Sequence, residues 1–343
     1  MTRPLCIGLL GATDIAVKAM VIPARFSDDF VVKGVAASDP ARAKVFAERH
    51  RLACAYDSYD ALMRDPAIDI VYLSLHNSAH MQNALNAMRA GKHVVVEKPL
   101  CLGRREWHAL KHVASTEGVR VVEAVMCSGH PWQHTAATIL SQHLLGELIS
   151  VKTVLSFTLP ARGYRRYPES GGGIFWDAAS YWVQMLQATT GLEPSSVEGH
   201  SAFDGPHGID TDFQARITCA KGVSAEVHCS FKETVQATHE WQCRDGKLVL
   251  KDFLLPARAS FPVNLHVYYG EGRREVISHP AKDYYSHQLQ YLAELFCAGD
   301  DLRWSQIYRE QGERIGIIND IYNAALSLME KSNLRLQEQG DRQ

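Results

Sequence analysis

Leu5-Cys6-Ile7-Gly8-Leu9-Leu10-Gly11-Ala12-Thr13-Asp14-Ile15-Ala16 carries a short apolar run into a glycine turn and out into a helical stretch. Strand, glycine, small residue and helix in that order bring backbone N–H groups toward a phosphate at a helix N-terminus. Taken alone, the segment is equally a plain turn after a buried strand, so the chain around it decides. Up to about Ala124 the unit repeats: Val31 to Ala36, Ile70 to Leu75, Val94 to Glu97 and Val119 to Glu123 are short β-branched runs parted by amphipathic helical stretches. Such alternation predicts a parallel sheet covered on both faces, the doubly wound α/β arrangement.

Beyond Gly146 the pattern changes. Ile149 to Thr158, Asp212 to Cys219, Ser224 to Phe231, Glu240 to Arg244, Lys247 to Phe253 and Asn264 to Tyr269 alternate polar and apolar residues between Gly-containing turns. This pattern predicts a large, open, mainly antiparallel sheet. Tyr284 to Cys297 and Ser305 to Leu334 read as long helices, and residues 337–343 as a frayed tail. A chain of 343 residues exceeds one core, so the expectation is an N-terminal Rossmann domain over 1–124 and an α+β domain over 125–343 for substrate binding and oligomerisation.

Composition narrows the function. The 36 Lys and Arg against 38 Asp and Glu leave a net charge of -2, which excludes a bulk basic field for nucleic acid or an anionic membrane. No run approaches the ~18 apolar residues of a membrane span. The 8 cysteines show no CxxC pair, as suits core thiols in a cytoplasmic protein. His76 and His80 stand four apart without a third ligand at metal spacing, so no metal is expected.

In the opening turn, Gly8 is expected to permit the tight bend, Gly11 to admit a pyrophosphate, and Ala12, Thr13, Asp14 and Ile15 to line it. At the end of the second strand, Val35-Ala36-Ala37-Ser38-Asp39-Pro40-Ala41-Arg42 puts a small residue, Ala37, where NAD-selective enzymes carry an acid. Ser38 and Arg42 could then donate to a 2′-phosphate, favouring NADP(H). The alternative register brings Asp39 to the ribose and leaves NAD(H) possible.

Gly91-Lys92-His93-Val94-Val95-Val96-Glu97-Lys98-Pro99 places Glu97 and Lys98 at the carboxyl end of a buried strand, where open α/β sheets bind ligands. Pro99 keeps Lys98 out of helical geometry. This string, Leu75-His76-Asn77-Ser78-Ala79-His80 and the opening glycine turn resemble the glucose-fructose oxidoreductase/inositol dehydrogenase/rhizopine catabolism (Gfo/Idh/MocA) family. The resemblance spans nearly the whole chain. It implies that Lys98 sits by the nicotinamide and the substrate hydroxyl, with Glu97 near the nicotinamide ribose. Leu75, His76, Asn77 and His80 are expected beside the cofactor as turn and helix-start residues. It also implies closing helices that return to the first domain.

Gly171-Gly172-Gly173-Ile174-Phe175-Trp176-Asp177-Ala178-Ala179-Ser180-Tyr181 predicts a helix starting after the glycines, with Asp177 and Tyr181 on one face. The resemblance makes Tyr181 the acid that protonates the substrate oxygen and Asp177 a group that binds a hydroxyl or orients the site. A phenol with pKa near ~10 needs a neighbouring cation for this work, a task for Lys98. The plainer alternative is a core tyrosine between Trp176 and Trp182. The implied reaction is hydride transfer between nicotinamide C4 and a carbonyl or secondary alcohol, Lys98 steadying charge on oxygen and Tyr181 moving the proton.

Within the family, Val125-Met126 through His130-Pro131 and Arg165-Arg166-Tyr167-Pro168-Glu169 are most similar to nucleotide-sugar C-3 ketoreductases. Arg165 and Arg166 could clamp a substrate diphosphate while Tyr167 stacks on its base or sugar. A solvated basic loop is the alternative. Three readings follow: a reductase of a nucleotide-linked ketosugar, a dehydrogenase of another polyol, free sugar or dihydrodiol, and a non-catalytic NAD(P)-binding regulator. The last should lack Lys98 and Tyr181. The resemblance also implies a homodimer or homotetramer, paired through the antiparallel sheet.

Overall fold

Six parallel strands form the first sheet in a computed structural model that describes residues 3–191, 193–219 and 222–340. They are β1 (Leu5–Leu10), β2 (Phe30–Ala36), β3 (Cys54–Tyr56), β4 (Ile70–Leu73), β5 (His93–Glu97) and β6 (Val121–Ala124), ordered β3-β2-β1-β4-β5-β6. After β1 comes a helical run of α1 (Asp14–Ala16), a π turn (Val17–Val21) and α2 (Ile22–Ala24). Then follow α3 (Pro40–His50), α4 (Tyr59–Arg64), α5 (His80–Arg89) and α6 (Arg104–Thr116). Every residue of β4 and β6 is buried, which is why these strands read as unbroken apolar runs. Strand order reverses between β1 and β4, and the crevice outside their carboxyl ends is where such sheets take ligands.

The chain divides into two compact units. The first joins the residues up to Gly129 with Tyr284–Ile315, so it includes α9 (Tyr284–Cys297) and the front of α10 (Asp301–Gly340). That returning segment covers the edge strand β6: the Tyr308 hydroxyl accepts Val121 N–H at 3.1 Å and Gln311 Oε1 accepts Glu123 N–H at 2.7 Å. Edge backbone is thereby paired instead of open to another chain. Helix α10 runs on to Gly340 where fraying was expected from 337, and 341–343 lie outside the described residues.

The second unit holds α7 (Pro131–Ser141), β7 (Leu148–Ser156), α8 (Ile174–Thr190), β8 (Pro194–His200), β9 (Asp212–Cys219), β10 (Ser224–Ser230), β11 (Gln236–Cys243), β12 (Gly246–Lys251), β13 (Val263–Tyr269) and β14 (Arg274–His279). Its eight strands run β14-β13-β12-β11-β7-β10-β9-β8. All neighbours are antiparallel except β7 and β10, which are parallel. Phe213, Ala215 and Ile217 of β9 point inward while Gln214 and Arg216 stay exposed, the alternation of a sheet with one packed face. Helix α8 lies on that face: Phe175 stacks on Phe213 at 4.1 Å, and Trp241 Nε1 on β11 donates to Thr189 Oγ1 at 3.1 Å. None of the eight cysteines forms a disulfide. Among the described residues no helix is long and apolar enough to cross a membrane.

Candidate active site

In the first unit, the residues singled out from sequence fall at the carboxyl ends of β1, β2, β4 and β5. Gly11 makes the bend after β1: its φ is +113°, and a Cβ there would lie 2.8 Å from the Ser74 carbonyl oxygen. The absent side chain lets the ends of β1 and β4 close together, and Thr13 Oγ1 then meets Ser74 Oγ at 2.8 Å. Thr13 also caps the helical run by accepting Ala16 N–H at 3.2 Å. Asp14 is exposed on its first turn, and Ala12 and Ile15 are half-buried. Gly8 is a correction. It lies inside β1, and a Cβ there would meet Leu62 and Ile68 side chains at 2.7 and 3.2 Å, so it serves packing beneath the sheet and not the tight turn. The cradle at Gly11, too close for any side chain, fits a group bound through backbone N–H donors.

At the end of β2, the Asp39 carboxylate accepts Ala41 N–H at 2.9 Å and so caps α3. Arg42, one turn on and exposed, reaches back to the glycine turn, donating from Nη2 to the Ala12 carbonyl at 3.3 Å. Ser38 beside them is exposed. A cation and a hydroxyl therefore stand exposed just beyond β2, and the nearest acid is engaged as a cap.

After β4, Leu75 is half-buried, His76 is exposed with its Nδ1 3.1 Å from Ser78 Oγ, and Asn77 is buried. His80 is fully enclosed: Nδ1 lies 2.8 Å from the Pro99 carbonyl and Nε2 3.1 Å from that of Leu75. Burial lowers its imidazole to about 4, so it is neutral at pH 7. Its contacts are with backbone, and it joins the β4 loop to the β5 loop from behind.

That second loop carries Lys98, which is 8% exposed and follows β5 through a cis peptide to Pro99. Three ties hold it. The Tyr72 phenol of β4 donates to Glu97, His80 meets the Pro99 carbonyl, and Leu100 N–H donates to Glu123 Oε1 at 3.1 Å. Burial raises the Glu97 carboxyl above its ordinary range, opposed by the Tyr72 hydroxyl and the Lys98 charge. Glu123 is itself buried and takes Arg314 Nε at 2.8 Å. Tyr72, Glu123 and Arg314 were not anticipated. Glu123 had a signal, a lone acid in the apolar run Val121 to Met126; Tyr72 and Arg314 had none.

In the second unit, α8 begins after the glycines as expected. Asp177 is buried in its first turn and Tyr181, one turn later, is half-buried. The helix start is held by a residue the sequence reading passed over. Asp210 Oδ2 accepts Phe175 N–H at 2.7 Å, its carbonyl accepts Ile174 N–H at 3.0 Å, and Gly173, at φ +107°, has no room for a Cβ against Asp210 Oδ1. Burial raises the Asp210 carboxyl to about 7, and Oδ1 has no hydrogen-bond partner.

The Arg-Tyr loop is divided. Arg165 turns inward and pairs with Asp177 through Nε, with Nη2 at 3.3 Å. It is therefore not the free phosphate fork anticipated beside Arg166, because its planar face of donors is already matched to a carboxylate. Arg166 is half-buried, and its Nη1 makes a long contact of 3.4 Å to the Pro160 carbonyl. Tyr167, 39% exposed, stacks on His207 with ring centroids 4.6 Å apart. Among the described residues no group of three or more His, Cys, Asp or Glu is placed to hold a metal ion.

Two family models match the chain: the NAD-binding Rossmann fold of the GFO_IDH_MocA oxidoreductase family over residues 5–125, and the GFO/IDH/MocA C-terminal domain over 134–249. D-xylose 1-dehydrogenase (NADP(+)) 2 of Haloferax volcanii is 32% identical over 243 residues, 70% of this chain and 74% of its own length. The dTDP-3,4-didehydro-2,6-dideoxy-alpha-D-glucose 3-reductase of Actinomadura kijaniata is 26% identical over 329 residues, 93% of this chain and 97% of its own. A crystal structure of KijD10, a 3-ketoreductase from the same organism, in complex with NADP and TDP-benzene, has the same fold: TM-score 0.84 at 23% identity, over 94% of this chain and 98% of that one. With a Rossmann sheet whose β5 ends in the Lys98 loop, and an open sheet covered by the helix α8 that carries Asp177 and Tyr181, the chain belongs to the Gfo/Idh/MocA oxidoreductase family.

Proposed function

We propose that the protein is a cytoplasmic, NADPH-dependent reductase of a keto group on a nucleotide-linked sugar. The observation that carries this reading is the match along 93% of the chain with a reductase of a dTDP-linked sugar. Ala12, Thr13 and the Gly11 turn would hold the cofactor pyrophosphate, and Arg42 with Ser38 its 2′-phosphate. Bound NADPH supplies the hydride. Lys98 steadies the negative charge that gathers on the substrate oxygen, and Tyr181 delivers the proton to it. Asp177 orients the donor. Arg166 is the guanidinium left to meet a diphosphate, and the Tyr167–His207 stack offers a flat, partly exposed face to a base or sugar ring. The half-exposed face of the eight-stranded sheet, with Arg216 and Glu226 paired at 2.6 Å, is the surface on which a homodimer or homotetramer would form.

A dehydrogenase of a free sugar or polyol is the second reading, favoured by the 32% identity to a xylose dehydrogenase. A panel of nucleotide 3-keto and 4-keto sugars, free aldoses and ketoses, and dihydrodiols, followed by NADPH or NADP absorbance, separates the two. Turnover strongest on nucleotide-linked ketosugars supports the first. Turnover confined to free sugars or diols replaces it with the second.

A further inference from the structure

The loop before α8 folds on itself so that Arg165 faces the helix. Gly173 N–H donates to the Arg165 carbonyl and Gly172 N–H to the Tyr167 carbonyl, both at 3.0 Å. A Cβ on Gly172 would sit 2.6 Å from the Arg165 carbonyl oxygen, so this approach requires glycine. The Arg165 guanidinium lies over the Tyr164 ring at 4.9 Å and is pinned to Asp177, whose side chain is 5% exposed. Asp177 is one helical turn ahead of Tyr181, on the same face.

We propose that Arg165 is a positioning residue for proton transfer, setting with Asp177 the acidity of the Tyr181 phenol. This rests on the reading of Tyr181 as the proton donor. The pair acts in two directions: the cation favours ionisation of the phenol and the carboxylate opposes it. The electrostatics of Arg165 agree. Burial opposes its charge, but Asp177 and the phenols of Tyr164 and Tyr181 outweigh that and raise its pKa. The groups gathered around Arg165 are thus Tyr164 from its own loop and Asp177 and Tyr181 from the helix, and by the function proposed above Lys98 is a second cation acting on the phenol.

The test is a tyrosinate absorbance titration of the NADP-loaded enzyme, with the Tyr181→Phe variant subtracted to isolate one phenol. Arg165→Gln leaves Asp177 uncompensated and should raise the phenol pKa by about one unit; Asp177→Asn leaves Arg165 unbalanced and should lower it by about as much. Arg165→Lys should recover most of the wild-type titration. The pH profile of kcat should follow the same order. Shifts of the same sign in the Gln and Asn variants, or none in either while both melt cooperatively, overturn the proposal. A nearly normal turnover of Tyr181→Phe instead overturns its role as donor, and the titration still decides whether Arg165 governs the phenol.

Discussion

Lys98 and Tyr181 are held in opposite ways. Lys98 leaves a buried strand, and the residues around it are tied to three other elements: Glu97 to β4, Pro99 to α5 and Leu100 to β6. Tyr181 rides on a helix whose start is set by one buried carboxyl, Asp210, and whose face is trimmed by one arginine from a loop. A strand end inherits its place from the register of the whole sheet. A helix face depends on where its first turn begins, and here distant residues decide that.

Chemistry is the strongest way to break the comparison. Lys98→Met, which leaves the three ties in place, should lower kcat by roughly three orders of magnitude with little change in melting temperature. Tyr181→Phe should lower it by roughly two to four orders with cofactor affinity little changed. Either variant turning over at a near-normal rate removes that residue from the reaction. Next comes the support of the Lys98 loop. Glu123→Ala strands Arg314 as a buried charge without its carboxylate and should cost about 3–5 kcal/mol in a urea melt. A loss below about 1 kcal/mol would show that the loop does not depend on this pair.

The helix start should respond to pH through Asp210. Because burial raises the Asp210 carboxyl from 3.8 to about 7, the folded state holds its proton longer than the unfolded chain. The stability linked to that proton is complete below pH 3.8 and is lost as pH rises through about 7. Relative to Asp210→Asn, the wild type should therefore lose up to about 4 kcal/mol across that window. Parallel stability curves for the two proteins would place the carboxyl's titration outside it. The smallest effect concerns the cofactor: Arg42→Ala should weaken NADPH relative to NADH by about tenfold or more. Unchanged discrimination would leave the 2′-phosphate to other groups.

The same contrast explains what was legible. The β1 turn, the β5 end and Lys98 follow from local order, since a buried parallel strand announces itself as an apolar run and its last residue must face the crevice. Gly8 misled because a strand glycine and a turn glycine look alike until the neighbouring Leu62 is in place. Strands β3, β8 and β14 escaped notice: β3 is short, and Pro194-Ser195-Ser196 and the charged Arg274-Glu275 are typical of edges, which bury little. The parallel pairing of β7 with β10 is a matter of which strands meet, and alternation says nothing of that. Arg165 was expected to meet a substrate phosphate, and in the structure it pairs with a carboxylate of the chain. Its partner Asp177 becomes visible only once the glycines fold the loop back.

The pairing of β6 with Tyr308 and Gln311 has a consequence for synthesis. Those contacts span 187 and 188 positions of sequence, and the Arg314 that neutralises Glu123 comes 191 positions after it. A ribosome making this chain therefore builds the whole open sheet of the second unit before it delivers the segment that completes the first. Through that interval the β6 edge is unpaired and Glu123 lacks its cation, so the nascent cofactor unit must wait for the far end of the chain to become whole.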